Sequence, residues 1–420
     1  MQHRTTSTTT LFAPVMLQLD CGITLAYDFV PSVESCAIGM WIKAGTRDEP
    51  RGQAGVAHLV EHTSFRRTTS RSNRQIARNF ENVGAYANAY TTKEETCYYV
   101  RTLTDHIGTV FPALADVVIN PVFDSKDVDK ERHIIVEEIR SYEDEIEELA
   151  YDLAEQQLFG KHPLGNPIVG TVNSVNKVSA EQVRNFHRRH YTSSSIVIVA
   201  SGNVIPEKLI DLANMSFKDI SRKRSSTRRK PPIRLPSSNQ KHYRATQQAH
   251  VVWHTRTGGH HSKNRAALEL LNVILGDGMT SRLHIRLRET RGLAYNISSQ
   301  IQLFADVGMF SVYAGTDPRN ESKVSHLIGF ELADLAKNGI KPSELKRAKE
   351  QLRAARIMSL ESLSARMSLL GKGILDDGEP ENPYKSISEI LNVTKDQVDA
   401  VAKSVCNPSR WHKLLLLPTL

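Results

Sequence analysis

The sequence is poor in cysteine. Cys21, Cys36, Cys97 and Cys406 are scattered through 420 residues with no CxxC pair and no framework spacing. That pattern suits a reducing compartment and gives no support to a thiolate zinc site. Long apolar runs are also missing: none reaches the roughly 18 residues of a membrane span, so a membrane is not an expected partner. The N-terminal stretch "MQHRTTSTTTLFAPVMLQLD" holds one arginine and many threonines but lacks the continuous apolar core of a signal peptide. A flexible tail over residues 1–15 is expected, in a soluble bacterial-type cytoplasmic protein, with a transit peptide and the mitochondrial matrix as the minority alternative. Aromatics make up 6% of the chain, and none interleaves "SRKRSSTRRKPPIR" (Ser221–Arg234), where much of the net charge of +8 is concentrated. Stacking on single-stranded nucleic acid needs aromatics among the cations. The stretch therefore reads as a solvated linker, and nucleic acid is not an expected partner.

What remains is the composition of a soluble globular protein, 40% hydrophobic and 24% charged, at a length that calls for more than one core. The basic stretch divides it almost in the middle, and the same order of elements reads on both sides, as a duplication would leave it. The first half runs from the alternating strand "CAIGMWIKAG" to a helix carrying "HLVEH", then the helix "SNRQIARNFENVGAY" and the strand-like "ANAYTTKEETCYYVRTLTD". The second runs from strand "HVVWHTRTG" to helices "RAALELLNVILGDG" and "SRLHIRLRETRGLAY", then strands "NISSQIQLFADVGMFSVYAGTD". Gly84 and Gly292 stand where matching helices end, the usual place for glycine. Each half continues into a long amphipathic helical stretch, the second opening on Pro342 at a position helices tolerate. Clustered strands with period-two alternation predict an α+β fold of two homologous domains, each a mostly antiparallel β-sheet packed with α-helices. The expected boundaries are 16–220, a basic linker over 221–241, and 242–420.

The chemistry concentrates in "GVAHLVEHTSF" (Gly55–Phe65). On a helix His58 and His62 project from one face, and Glu61 points to the same side. Neutral imidazoles suit zinc, and a catalytic site needs a third protein ligand plus an open position for water. Glu61 then stands as general base toward water whose pKa the metal lowers to about 7. The order is that of an inverzincin. A third ligand is sought in "KERHIIVEEIRSYED", where Glu131 and Glu138 lie two helical turns apart on one face and Glu137 points elsewhere. Spacing alone does not select one carboxylate.

The chain resembles the peptidase family that includes pitrilysin, insulin-degrading enzyme and the mitochondrial processing peptidase, and within it the short two-domain members similar to the processing-peptidase β subunit. The resemblance rests on "GMWIKAGTRDE", "GVAHLVEHTSF", "GAYANAYTTKEETCYY", "HPLGNPIVGT", "GDGMTSRLHIRLRETRGLAY" and "SLESLSARMSLLG", in the family's order from about residue 16 to 375. It implies one zinc ion per chain on His58, His62 and Glu138, with Glu61 as catalytic base and Glu131 supporting a ligand histidine. It implies that Phe65 lines the pocket after the scissile bond, core packing being the other reading. Asn88, Ala89 and Tyr90 would form the edge strand to which a peptide substrate adds. Arg288 and Tyr295 would close on the substrate backbone and the developing oxyanion. Glu148 and Asp152 fall where an arginine upstream of the cut would be held, a solvated helix face being the alternative.

The resemblance further implies that the halves face each other to form a chamber. It implies that the chain is a zinc-dependent endopeptidase cleaving extended peptides or leader and presequences inside it, as a homodimer or alternatively as a heterodimer with a related subunit. A non-catalytic scaffold subunit of the same fold is the alternative. Two features depart from the pattern. "RRTTS" after Phe65 lacks the family's glycine, and the arginine-rich linker is unusually long. "LGDGM" lacks the ending of a phosphate loop and reads as a helix–turn–helix corner. "HTRTGGHH" (His254–His261) offers histidines without helical or strand register and is the poorer metal candidate.

Overall fold

A computed structural model describes residues 12–223 and 229–419. Most of the expected tail and residues 224–228 of the expected linker thus lie outside the described residues. The fold has two domains, each a mixed sheet packed with helices. The first sheet contains β1 (Val15–Gln18), β2 (Thr24–Phe29), β3 (Ser35–Ile42), β4 (Tyr86–Thr91), β5 (Thr96–Leu103) and β6 (Ile196–Gly202), in the order β1-β2-β6-β3-β5-β4. The second contains β7 (Asn239–Arg244), β8 (Ala249–Thr257), β9 (Ala294–Leu303), β10 (Gly308–Thr316) and β11 (His412–Pro418), in the order β7-β11-β8-β10-β9. Each sheet is antiparallel apart from one parallel pair, β2 with β6 and β7 with β11. The likeness of the halves extends to the backbone: Gly84 and Gly292 hold φ of 65° and 60°.

The central strands are buried along nearly their whole length because helices cover both faces, which is why they read as apolar runs. One of those helices comes from the opposite half. The expected long helical stretch of the first half breaks at Glu145 into Ser125–Asp144 and Ile146–Phe159. The second piece lays Ala150, Ala154, Leu158 and Phe159 on Val252, Met309, Tyr313, Leu414 and Leu416 of the second sheet. The second half's stretch breaks likewise into Pro342–Ser359 and Leu363–Asp377, with Ser362 capping the new start. Its Met367, Leu370, Ile374 and Leu375 cover Ala26, Ala37, Trp41, Val197 and Val199 of the first sheet. A buried pair, Arg366 Nε donating to Asp28 Oδ2 at 2.5 Å, fixes that crossing. Each half therefore lends a helix to the other, and the breaks are the turns that send them across.

The linker has a second role beside solvation. Arg47 is buried and donates to both carboxylate oxygens of Asp306, at 2.8 and 2.7 Å, in the turn between β9 and β10. It also donates to Glu94 at 2.6 Å and to the Lys230 carbonyl at 2.8 Å. Arg229 of the linker pairs with Asp48 at 2.8 Å. Part of the basic stretch is thus consumed in a lock between the halves, while residues 224–228 lie outside the described residues.

Candidate active site

The helix Val56–Ser64 carries the histidine motif and is buried on nearly every residue. Gly55 opens it at φ 92°, where a Cβ would sit 2.8 Å from the Val169 carbonyl oxygen. Only glycine meets both the left-handed backbone and that close approach. No side chain of Gly55 can cap the helix, and the cap comes from Glu49. Its carboxylate accepts from the Gly55 N–H at 3.0 and 3.1 Å and from the Ala57 N–H at 3.0 Å. Burial pushes the Glu49 carboxyl up to about 8, against those two backbone donors.

His58 and His62 stand side by side, ring centroids 4.4 Å apart, and face Glu138 on the neighbouring helix. Nε2 of His58 lies 3.9 Å from Glu138 Oε1, and Nε2 of His62 lies 3.6 Å from Oε2. Those separations are too long for hydrogen bonds. Bonds of about 2.1 Å at tetrahedral angles put ligand atoms about 3.4 Å apart, so the donor set suits zinc. Among the described residues, neither the buried Glu138 Oε2 nor Nδ1 of His58 has a hydrogen-bond partner. The donor atoms of all three residues fall within 4.8 Å of one another.

Tautomer and charge are set by the surroundings. Nδ1 of His62 donates to Glu131 Oε2 at 3.0 Å, which leaves its Nε2 lone pair toward Glu138. Arg66 holds the other Glu131 oxygen. Burial works to raise the Glu131 carboxyl, but His62 and Arg66 bring it below its ordinary value. Burial, with His62 nearby, pushes His58 down to about 3, so its imidazole is neutral as a ligand must be. For His62 burial works downward, yet Glu131 and the surrounding carboxylates hold it above the usual value. Burial raises both Glu138 and Glu61. In Glu61 that rise is opposed by the Thr91 hydroxyl, which donates to Oε2.

Thr91 ends β4, the edge strand, which is paired on one side only, with β5. Asn88, Ala89 and Tyr90 lie along it, and the Asn88 amide oxygen accepts from the Ala89 N–H at 2.8 Å. Phe65 is half-buried, packed on the first core with its ring 5.9 Å from that of Tyr98. The "RRTTS" turn closes without glycine: Thr68, Ser70 and Arg71 all donate to Asp116. Glu148 is exposed, and Asp152 has its carboxyl pushed up to about 6 by burial and by Glu155. Glu137 points to solvent and pairs with Arg140.

Arg288 and Tyr295 meet each other, the guanidinium 4.6 Å from the ring centroid, and Tyr295 is 79% exposed. Arg288 lies on a π-helical stretch, His284–Glu289, where an α-helix was expected. Among the described residues no hydrogen bond, ion pair or ring contact joins this pair to His58, Glu61, His62 or Glu138. Within one chain the structure thus brings together His58, His62, Glu138, Glu61, Glu131 and the edge strand, and leaves the Arg288/Tyr295 pair apart.

A protein of Mycobacterium tuberculosis named as an uncharacterized zinc protease is 37% identical over 395 residues, spanning 93% of this chain and 90% of its own. Residues 25–172 match the profile described as Insulinase (Peptidase family M16), and residues 177–352 match the one described as Peptidase M16 inactive domain. The chain belongs to peptidase family M16. A Bacillus subtilis protein also named as an uncharacterized zinc protease, YmxG, is 32% identical over 384 residues, covering 91% of this chain and 93% of itself. The fold is that of a Pseudomonas fluorescens structure titled peptidase M16 inactive domain (TM-score 0.91, 20% identity, 97% and 98% of the two chains). A protease structure from Helicobacter pylori shares it as well (TM-score 0.88, 19% identity, 96% and 99%).

Three residues beside this M16 site escaped the sequence reading: Glu49, Arg66 and Thr91. Thr91 directly follows Asn88–Tyr90, the residues read as an edge strand, and that reading concerns only the strand's main chain. Glu49 stands six residues before a glycine with no helical signal of its own, so its capping is visible only in three dimensions. Arg66 sits in the turn after Phe65, and its partner Glu131 lies on the helix Ser125–Asp144, so nothing local in the sequence marks it.

Proposed function

We propose that the chain is a zinc-dependent endopeptidase that hydrolyses extended peptides, leader or presequence segments among them, inside a chamber closed by two copies. The observation that carries this reading is the convergence of His58, His62 and Glu138 with the buried Glu61 carboxylate, itself tied through Thr91 to a free strand edge. Bound by those three donors, one ion per chain, zinc supplies Lewis acidity that polarises a peptide carbonyl and makes water acidic near neutral pH. Glu61 takes the proton from the attacking water and returns it to the leaving amine. Glu131 keeps His62 in the tautomer that presents Nε2. The edge of β4 at Asn88–Tyr90 hydrogen-bonds the substrate main chain, an interaction that tolerates varied side chains.

Phe65 borders the position after the cut, and Glu148 with Asp152 attracts an arginine before it. Arg288 and Tyr295 of a second copy stabilise the developing oxyanion. A cytoplasmic, reducing setting suits the four free and buried thiols. A non-catalytic scaffold of the same fold is the competing reading, and the retention of both histidines and both glutamates speaks against it. Metal analysis with a quenched peptide library tests the proposal. Glu61→Gln should keep its zinc and lose about a thousandfold in rate. Absence of zinc from purified protein, or cleavage by Glu61→Gln at the wild-type rate, overturns it.

A further inference from the structure

The described residues bring together a second set of nitrogen and oxygen donors far along the chain from the first: His260, His261 and Asp377. His260 Nε2 is 3.1 Å from Asp377 Oδ2, and His261 Nδ1 is 3.3 Å from Oδ1. The two rings stand edge to face, centroids 5.1 Å apart. The His260–Asp377 contact is a hydrogen bond that an ion would replace, and both donor separations fall slightly short of the roughly 3.4 Å between ligand atoms around a tetrahedral zinc ion. They are tighter than those of the first donor set.

The donors sit on a fixed frame. The histidines occupy the turn between β8 and the helix Arg265–Leu275. The His260 N–H donates to the Phe304 carbonyl at 2.8 Å. A Cβ on Gly259 would meet the backbone of Phe304 and Val307 at 2.5 Å, so the turn lies flat against its neighbour. Asp377 is the last residue of the helix whose apolar face is buried on the first sheet. Donors held by rigid elements need little reordering to bind. His261 and Asp377 are exposed, which leaves coordination positions open to water.

We propose that His260, His261 and Asp377 form a second metal site, for a borderline divalent ion of the zinc, nickel and copper class, to which two imidazoles and one carboxylate are suited. An ion there ties the turn that opens the second half's helical layer to the helix covering the first half's sheet. It braces the crossing beside the Arg47–Asp306 lock.

One neighbour competes with it. Nη1 of Arg265 lies 3.0 Å from His260 Nδ1. A ring that gives its Nε2 lone pair to a metal carries its proton on Nδ1 and has nothing to offer a guanidinium. Metal entry therefore requires Arg265 to swing away. Glu269, which already accepts from Arg265 Nε at 3.0 Å, gives it a place to go. Removing Arg265 should tighten the site, an effect that adventitious surface binding would not show.

The test uses the full chain as the Glu61→Gln variant, stripped with chelator and titrated with zinc chloride by calorimetry and equilibrium dialysis. Two ions per chain are expected. The His260→Ala/His261→Ala double variant, and separately Asp377→Asn, should each bind one. Arg265→Gln should bind the second ion about fivefold more tightly, the worth of about one hydrogen bond. A single ion that survives His260→Ala/His261→Ala but is lost in His58→Ala/His62→Ala overturns the second site and leaves the first intact. Two ions retained in His260→Ala/His261→Ala, or unchanged affinity in Arg265→Gln, also overturn it. One ion with the reverse pattern overturns the zinc centre proposed above and not this site.

Discussion

The hydroxyl of Thr91, the last residue of the edge strand, donates a hydrogen bond to Glu61, the carboxylate buried beside the histidine pair. It ties the main chain along which a peptide would lie to the group that would move its proton. A hydrogen bond to a charged group is worth about 2 kcal/mol, or about thirtyfold in rate. Thr91→Val should lower kcat by that order with KM and zinc content little changed, and Thr91→Ser should restore most of the loss. Steady-state kinetics on a quenched peptide measure this. A purely structural role would instead affect both valine and serine variants through stability.

Glu49 holds the opening of the metal helix by accepting from the Gly55 and Ala57 N–H groups. Loss of a helix cap costs about 1–2 kcal/mol. Because the next turn carries His58 and His62, that loosening should also reach the metal. Glu49→Ala is expected to lower the free energy of unfolding, read from urea titration, by that amount and to weaken zinc affinity about tenfold, as removal of supporting contacts does elsewhere. Competition with a chromogenic chelator reads the affinity, and unchanged affinity at reduced stability would limit Glu49 to the fold.

Periodicity and motif order made the elements of both halves legible, and the histidine helix with them. Spacing left Glu131 and Glu138 undivided. The structure separates their contacts, because Glu131 accepts from the far nitrogen of His62 while Glu138 faces the near nitrogens of both histidines. The crossing of the helices Ile146–Phe159 and Leu363–Asp377 was not legible. An apolar stripe records that a face is buried, not which sheet buries it. The same holds for Arg229, whose place in "STRRKPP" looks like any solvated cation until Asp48 is found against it. His260 and His261 had no periodic signal, since their third partner lies more than a hundred residues on.

His190 is buried against Phe186, and neither ring nitrogen has a hydrogen-bond partner among the described residues. Burial pushes its pKa down to about 4. The folded chain keeps this ring neutral while the unfolded chain takes up a proton near pH 6.5. Its contribution to stability is therefore intact above pH 6.5 and is lost as pH falls toward 4, by on the order of 3 kcal/mol. His190→Met should leave stability at pH 7.5 nearly unchanged and flatten the decline between pH 6.5 and 4. Urea unfolding across that range, wild type against variant, checks the difference.

Arg47 joins Asp306 of the second half to Glu94 of the first, with its side chain almost wholly out of water. Removing one partner of a buried pair leaves the other charges desolvated, at a cost of about 3 kcal/mol. Arg47→Ala should lower stability by that order. Because the lock spans the halves, it should also raise amide hydrogen exchange in the β9–β10 turn before it does so in β3. Equal exchange in both places would mean that the lock does not hold the turn.

Arg288 and Tyr295 lie together but out of contact with the metal donors of their own chain, and the proposed function assigns them to the site of a second copy. Two inactive variants then complement each other. In a dimer of Glu61→Gln with Arg288→Ala, one site takes its metal half and its clamp half from unmutated regions, and the other site carries both lesions. Random mixing makes half the dimers mixed, so roughly a quarter of wild-type activity should return, the statistical share for a twofold dimer. Each variant alone should stay near its own low rate. Mixing after mild dissociation, followed by the quenched-peptide assay, reads this directly. Activity no greater than the average of the two separate variants would place any working clamp within the same chain as its metal site.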